Sequence, residues 1–360
     1  MGPDACRRVT SSHRAFVFLP FALLGGVLTL VGATRTWTMN DGRRALAELA
    51  HVEGEYLFLR FGPVERRYPL NNFSEDDHEY VRNWSSKARC GACNQPLTTR
   101  SKKAGRKSYH LACFRCVACG KGFRGGDRFQ IDQWGNLGHV EHIAQLFDCD
   151  SCGRLFPRKG ASRNQVLSDN RVACKQCRDD AVFDLEELKS IRNETTVILK
   201  EVGISPPEGA IEWKLVSRRE LDNEAKRIHV GGNLKGLTVT QLRRVTSKSE
   251  TITSFSHKVY VLFGLPKSEL RSVISHELMH VWLNERGVEA PADVIEGFCN
   301  LGSDQVLRQD PSRLAWILIG NMQTNPSPSY GAGYRKMMAH LQKTGWPRML
   351  AEMKARAKKP

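Results

Sequence analysis

The chain is short of acidic side chains. Against 54 Lys and Arg it sets 38 Asp and Glu, a formal net charge of +16 over 360 residues. A surplus of that size favours acidic partners such as anionic lipid, nucleic acid or acidic proteins. Part of it is formal only, because the sum treats all 11 cysteines as neutral and thiolates on zinc would lower it; nucleic-acid binding is not our reading. The sequence also has no long low-complexity tract, so it reads as ordinary globular material, enough for two or three domains. It has no loop of the phosphate-cradling kind either: Gly231-Gly232-Asn233 reads as a plain turn.

What is present begins with an uncharged apolar run, 15–33, behind Arg7, Arg8 and Arg14. It is about as long as a minimal transmembrane helix, and Val31-Gly32-Ala33 would also serve as a signal-peptide cleavage site. Pro20 and Gly25-Gly26 do not decide between the two. The expectation is a chain anchored in a membrane by one N-terminal segment, or exported, with the rest favoured on the extracytoplasmic side.

Cysteines in an exported chain usually pair as disulfides, but the spacing here is that of metal ligands. Cys90-x2-Cys93 with His110-x2-Cys113 makes one four-ligand set, and Cys116-x2-Cys119 with His139-x2-His142 makes a second. Eight ligands at these spacings are the signature of a LIM domain. Each set is expected to hold a structural zinc that contributes folding free energy directly, because so small a unit buries too little core. Trp134 and Phe114 are expected to pack between the two fingers. Cys149-x2-Cys152 and Cys174-x2-Cys177 form a third tetrahedral set, with zinc-ribbon or LIM-like spacing and a turn at Asp169-Asn170. Cys6 stays unassigned, and Cys299 reads as buried beside the helix described next.

Ser275-His276-Glu277-Leu278-Met279-His280-Val281-Trp282 puts two histidines one helical turn apart, on one face. Such a pair can hold one Zn²⁺, and Glu277 stands where it can take a proton from the attacking water. Lys258–Phe263 reads as a strand ahead of this helix, and Leu270, Val273, Ile274, Leu278 and Val281 give the helix one buried stripe. Ser268 is a fair N-cap, Gly287 a plausible stop, and Pro291 opens a second helix. The third ligand belongs on that second helix, where Glu289, Asp293, Glu296 and Asp304 are candidates. Glu296, one turn inside the helix and beside Gly297, is the choice; Glu289 lies in the turn, where its aim is poor. A strand and two helices carrying His, His and Glu look like the gluzincin arrangement of metallopeptidases.

Residues 35–84 form a small unit: strands at Ala45–Leu49 and Tyr56–Phe61, a third extended piece at Arg67–Leu70, and a helix capped by Ser74 through Tyr80. With Arg35-Thr36-Trp37-Thr38, Asp41-Gly42-Arg43, Pro69-Leu70 and Phe73-Ser74-Glu75-Asp76-Asp77, it resembles the first homology domain of the yeast actin-patch adaptor. That resemblance implies an SH3-like barrel and the binding of short peptides.

From Cys149 onward the chain resembles the plant LIM-domain, ubiquitin-activated peptidases that limit organ growth. The resemblance is carried by Cys149-Asp150-Ser151-Cys152, Asp180-Ala181-Val182, Leu262–Pro266, Ser275–Leu283, Asp293–Cys299 and Ser327–Arg335. It implies a zinc endopeptidase with His276, His280 and Glu296 as ligands and Glu277 as general base. The N-terminal ubiquitin-interacting motifs of the plant proteins have no counterpart here, so ubiquitin activation is not carried over.

The sequence therefore reads as an α+β multidomain protein: a signal or anchor segment (1–34), an SH3-like β unit (35–86), a LIM domain (87–145), a LIM-like zinc ribbon (146–180) and a gluzincin-type metallopeptidase domain (181–360). It expects one catalytic and about three structural Zn²⁺, protein substrates, protein partners through the LIM and SH3-like units, and Lys258–Phe263 pairing with extended substrate. Tyr330 or Tyr334 would stabilise the oxyanion. The rival reading is a membrane-associated LIM adaptor without catalysis.

Overall fold

The computed structural model describes residues 34–357, apart from 62–63, 94, 98–99, 106, 163–164, 208–210 and 247–250. The fold is mixed α/β, with several small sheets rather than one large one. An antiparallel meander comes first: β1 (Thr34–Thr38), β2 (Arg44–Glu53), β3 (Tyr56–Phe61) and β4 (Val64–Pro69). Alternation turns Trp37, Leu49, Leu57 and Leu59 onto one face, where they pack with Phe73 and Val81. Helix α1 (Glu75–Ser85) starts as its capping residues dictate, with the Ser74 side chain accepting from the Asp77 amide. Asp77 then reaches back to β1, accepting from the Thr38 amide at 2.9 Å and pairing with Arg35 at 2.7 Å.

His51, on β2, stacks on Phe58 at 3.9 Å. Burial, reinforced by Arg313, Arg60 and Lys107, holds its imidazole down at about 3 against an ordinary 6.5. A ring kept neutral in the fold but free to protonate when unfolded stabilises the fold fully above pH 6.5 and loses that contribution as the pH falls toward 3. We expect His51→Phe to flatten the fall in stability between those two values, by a few kcal/mol at the acid end. Denaturant midpoints of the two proteins across that range check it; parallel curves would refute it.

Two hairpins follow, β5 (Ser101–Ala104) with β6 (Lys107–His110) and β7 (Phe129–Ile131) with β8 (Leu137–His139). Phe114 packs between them as expected, against Tyr109, Phe123 and Phe129. Trp134 does not. It sits at the tip of the β7–β8 turn, whose Gly135 has φ +90°, and a tip residue leans away from its own hairpin. Its Nε1 donates to Cys152 O at 2.9 Å and its ring meets Arg154, Arg313 and Ile317, outside the LIM unit. A third small hairpin, β9 (Leu146–Asp148) with β10 (Leu155–Pro157), and the short helix α2 (Lys175–Asp179) frame the last cysteine set. The turn expected there is present, with Asn170 at φ +66°.

The remainder runs α3 (Leu185–Glu201), β11 (Ile211–Val216), α4 (Arg218–Arg227), β12 (Gly236–Thr246), β13 (Thr251–Leu262), α5 (Lys267–Glu285), α6 (Ala292–Gln309), α7 (Arg313–Thr324) and α8 (Gly333–Lys354), the last kinked at Gly345. The sheet order is β11–β13–β12, with β11 parallel and β12 antiparallel to β13. This corrects the expected role of Lys258–Phe263. Val259 is paired with Trp213 on one side and Thr238 on the other, so the Lys258–Leu262 stretch has no free edge to offer a substrate; among the described residues β12 has one.

Helix α5 is buried almost all round, with Leu270, Ile274, Ser275, Glu277, Leu278, Met279, Val281, Trp282 and Leu283 inaccessible. A single stripe was expected, but α5 is the central rod of the largest core, sandwiched by β12, β13, α3 and α6. It starts at Lys267 with Pro266 in the N-cap position, not at Ser268, whose hydroxyl instead meets Ser312 at 2.9 Å. Helix α6 lies against α5 where Gly302 leaves room for Met279; a Cβ there would come within 2.6 Å of Met279 Cγ. Arg67, from β4, is buried against the far end of α6, its guanidinium donating to the carbonyls of Leu307 and Arg308.

The N-terminal apolar run, 15–33, lies outside the described residues. The expectation of a membrane-anchored or exported chain is corrected: among the described residues no helix is long and apolar enough to cross a membrane.

Candidate active site

Helix periodicity brings His276 and His280 to one face of α5, and that face meets α6. Their Nε2 atoms are 3.2 Å apart. Glu296 Oε2 lies 3.2 Å from the first and 3.7 Å from the second. Three atoms bound tetrahedrally to one zinc at about 2.05 Å would sit roughly 3.3 Å from each other, so this donor set fits the ion in both chemistry and spacing. Two of the other acids considered are engaged elsewhere: Asp293 pairs with Lys336 at 2.7 Å, and Asp304 accepts from the Tyr334 hydroxyl at 2.7 Å.

The field at the site suits a cation. Burial pushes the Glu296 carboxyl up, but the hydrogen bonds and charges of His276 and His280 outweigh it and hold it well below the usual carboxylate range. Burial likewise presses His276 down, and Glu296 and Glu277 together raise it above its ordinary value.

Asn300 is a residue that the sequence reasoning passed over. One turn beyond Glu296, its Oδ1 accepts from His276 Nδ1 at 3.0 Å, which fixes the tautomer and leaves Nε2 facing His280 and Glu296. Its Nδ2 donates to Tyr330 O at 3.1 Å. The i, i+4 spacing from Glu296 was the available signal.

Glu277 is buried, and β12 runs over it. Thr238 Oγ1 donates to Glu277 Oε2 at 2.7 Å, and a Cβ on Gly236 would fall 2.6 Å from Glu277 Oε1. The edge strand thus passes within contact of the carboxylate. Of the two tyrosines, Tyr330 stacks along His276, centroids 6.3 Å apart at 24°. Tyr334 is buried with its hydroxyl spent on Asp304. Cys299 is buried as expected, and its sulfur groups with ring nitrogens of His276 and His280.

The structure also brings together each of the three cysteine-rich sets. Cys93 Sγ lies 3.3 Å from His110 Nδ1, Cys116 Sγ 3.6 Å from His142 Nδ1, Cys119 Sγ 3.6 Å from His139 Nδ1, and Cys152 Sγ 3.7 Å from Cys174 Sγ. Those separations match roughly 3.5 Å for sulfur and nitrogen, and about 3.75 Å for two sulfurs, around one tetrahedral zinc. Backbone amides of His110, His139 and Cys174 point at Cys90, Cys116 and Cys149 Sγ. Burial works against ionising Cys90 and Cys116, yet such amides win and bring the thiols down to about 7 and about 6.

Two family models match the sequence: the LIM domain over residues 90–137, and Protein DA1 ("DA1-like") over residues 214–310. The second interval holds α4, β12, β13, α5 and all of α6. Protein DA1 of Arabidopsis thaliana is 23% identical over 335 residues, 71% of this chain and 62% of that protein. LIM domain-containing protein HDR3 of Oryza sativa subsp. japonica is 24% identical over 261 residues, 60% of this chain and 50% of that protein. Thyroid receptor-interacting protein 6 of Homo sapiens is 29% identical over 98 residues, 25% of this chain. The chain therefore spans between half and about three-fifths of the two plant relatives. A match to the LIM domain followed by a match to the DA1-like model makes the chain similar to the plant DA1 proteins in the order of its parts.

Proposed function

We propose that this chain is a zinc-dependent endopeptidase whose metal is held by His276, His280 and Glu296. The observation that supports it most is the three-way donor spacing of 3.2, 3.2 and 3.7 Å beside a buried carboxylate that donates nothing to the set. A zinc ion held by these three residues would supply Lewis acidity toward the scissile carbonyl. Glu277 takes the proton of the attacking water and passes it to the leaving amine. Thr238 holds the Glu277 carboxylate in place for both transfers. Asn300 holds His276. Tyr330 is the better placed of the two tyrosines to donate to the oxyanion, since Tyr334 is committed to Asp304. An extended substrate adds to the free edge of β12, whose backbone already passes Glu277.

In this reading residues 35–86 are an SH3-like unit that binds short peptides, 87–145 the LIM domain, 146–180 a LIM-like zinc ribbon and 181–360 the peptidase domain. LIM modules recruit protein partners, and here they would present substrates. A non-catalytic LIM adaptor is the alternative, and Glu277 argues against it: a scaffold has no use for a buried carboxylate beside a metal set.

Counting metal separates the two. The enzyme should carry four zinc ions per chain, one for each set, and an adaptor with an idle centre three. Glu296→Gln should lose one zinc and all cleavage of an unfolded protein substrate, while melting close to the wild type. A Glu296→Gln chain that keeps its metal count and cleaves normally would overturn the proposal.

A further inference from the structure

Cys299 follows Glu296 by three residues on α6, so the two side chains leave the helix on one face. The residue is fully buried. Its Sγ forms a group with one ring nitrogen each of His276 and His280, all within 4.8 Å of one another. Sulfur and nitrogen on the same tetrahedral zinc are roughly 3.5 Å apart, so the thiol lies at most about 1.3 Å beyond that spacing from either imidazole. A buried cysteine is ordinarily a small hydrophobe among hydrophobes. This one faces two imidazoles.

Resting on the metal reading above, we propose that Cys299 is a fourth protein donor to the ion held by His276, His280 and Glu296. The centre then has two forms. In the open form the thiol would stand back from a bound ion and leave one corner to solvent. In the closed form the sulfur occupies that corner. Closing breaks the S–H bond, forms a sulfur–metal bond and sends the proton to solvent with the displaced water; no oxidant or reductant is consumed. Thiolate is a preferred donor for zinc, and a fully closed four-donor centre has the makeup of a structural site. Such a peptidase would rest in a latent state, and whatever draws the thiol back without acting through substrate binding would switch it on.

The test uses the full chain. A mild chelator strips the centre of three nitrogen and oxygen donors ahead of the cysteine-rich sets, and Co²⁺ is added back. The wild type is expected to show more near-ultraviolet sulfur-to-cobalt absorption than Cys299→Ser or Cys299→Ala, at the same cobalt content. Two variants are used because a buried serine hydroxyl can compromise folding. Both are also expected to cleave severalfold faster, with KM unchanged. Identical spectra at one Co²⁺ per chain would overturn the fourth donor, and unchanged kcat would overturn the latch. Failure of the underlying metal reading has its own signature: His280→Ala would take up the exchangeable Co²⁺ as the wild type does, and this proposal would fall with it.

Discussion

Glu277→Gln should lower cleavage by roughly 10²–10⁴-fold, the range attributed to a positioned general acid–base, while leaving four zinc ions on the chain. The amide is the same size as the carboxylate, and the pocket between Thr238 and Gly236 has no slack for anything larger. Thr238 Oγ1 can still donate to the amide oxygen, so stability should change little. Glu277 is not one of the three proposed donors, which is why metal content and turnover should separate in this variant. Loss of both would assign Glu277 a structural role. Loss of neither would remove the hydrolytic mechanism altogether. Aspartate at 277 is a useful companion: it keeps the charge but draws it back by one methylene, and should also be slow.

Much of this was legible in the sequence because local spacing is enough to specify it. Cys-x2-Cys and His-x2-Cys steps decide which side chains can reach one ion, and the three sets assemble as their spacing requires. His276 and His280 share a face because the helical period is 3.6 residues, whereas Glu296 was a choice among four acids, made on its place one turn inside the next helix; it lies 3.2 and 3.7 Å from the pair. Ser74 announces α1, and the cap is made. Contacts between distant elements were not legible. Val259-Tyr260-Val261-Leu262 is an unbroken apolar run, which suits a strand covered on both faces and flanked on both edges; its central place could have been suspected, but its partners lie tens of residues away. Trp134 was given to the LIM core because small zinc units need aromatics. Its place on a turn tip sent it to α7 and the third cysteine set instead. Asn300 was missed because a neutral amide carries no ligand signal of its own. The N-cap of α5 was misplaced by two residues, at Ser268 instead of Pro266, because its cap comes from another segment of the chain.

That cap makes the last cysteine set matter to α5. Asp180, three residues beyond Cys177, accepts from the Lys267 amide with its side chain at 3.1 Å, doing for α5 what Pro266 cannot. Val182 donates to Leu265 O and accepts from Gly264 N, at 3.0 and 2.6 Å. Lys235 joins Asp150 O, inside the Cys149–Cys152 knuckle, to Glu269 in the first turn of α5, and Arg171 donates to Phe263 O. The first turn of α5 is therefore stitched to the cysteine set on two sides. Zinc in a set of four cysteines contributes on the order of 10 kcal/mol in isolated modules, comparable with the whole stability of a domain, about 5–15 kcal/mol. Cys177→Ser should thus lose one zinc, drop the melting temperature steeply and abolish cleavage, although it is remote from His276 in sequence. Asp180→Ala should keep every zinc and lose about 1 kcal/mol, the usual worth of a cap. Melting curves and metal counts on the two variants distinguish a set that supports α5 from one that merely hangs beside it. A Cys177→Ser chain with three zinc ions, an unchanged melting curve and full activity would show the set to be dispensable to the helix it abuts.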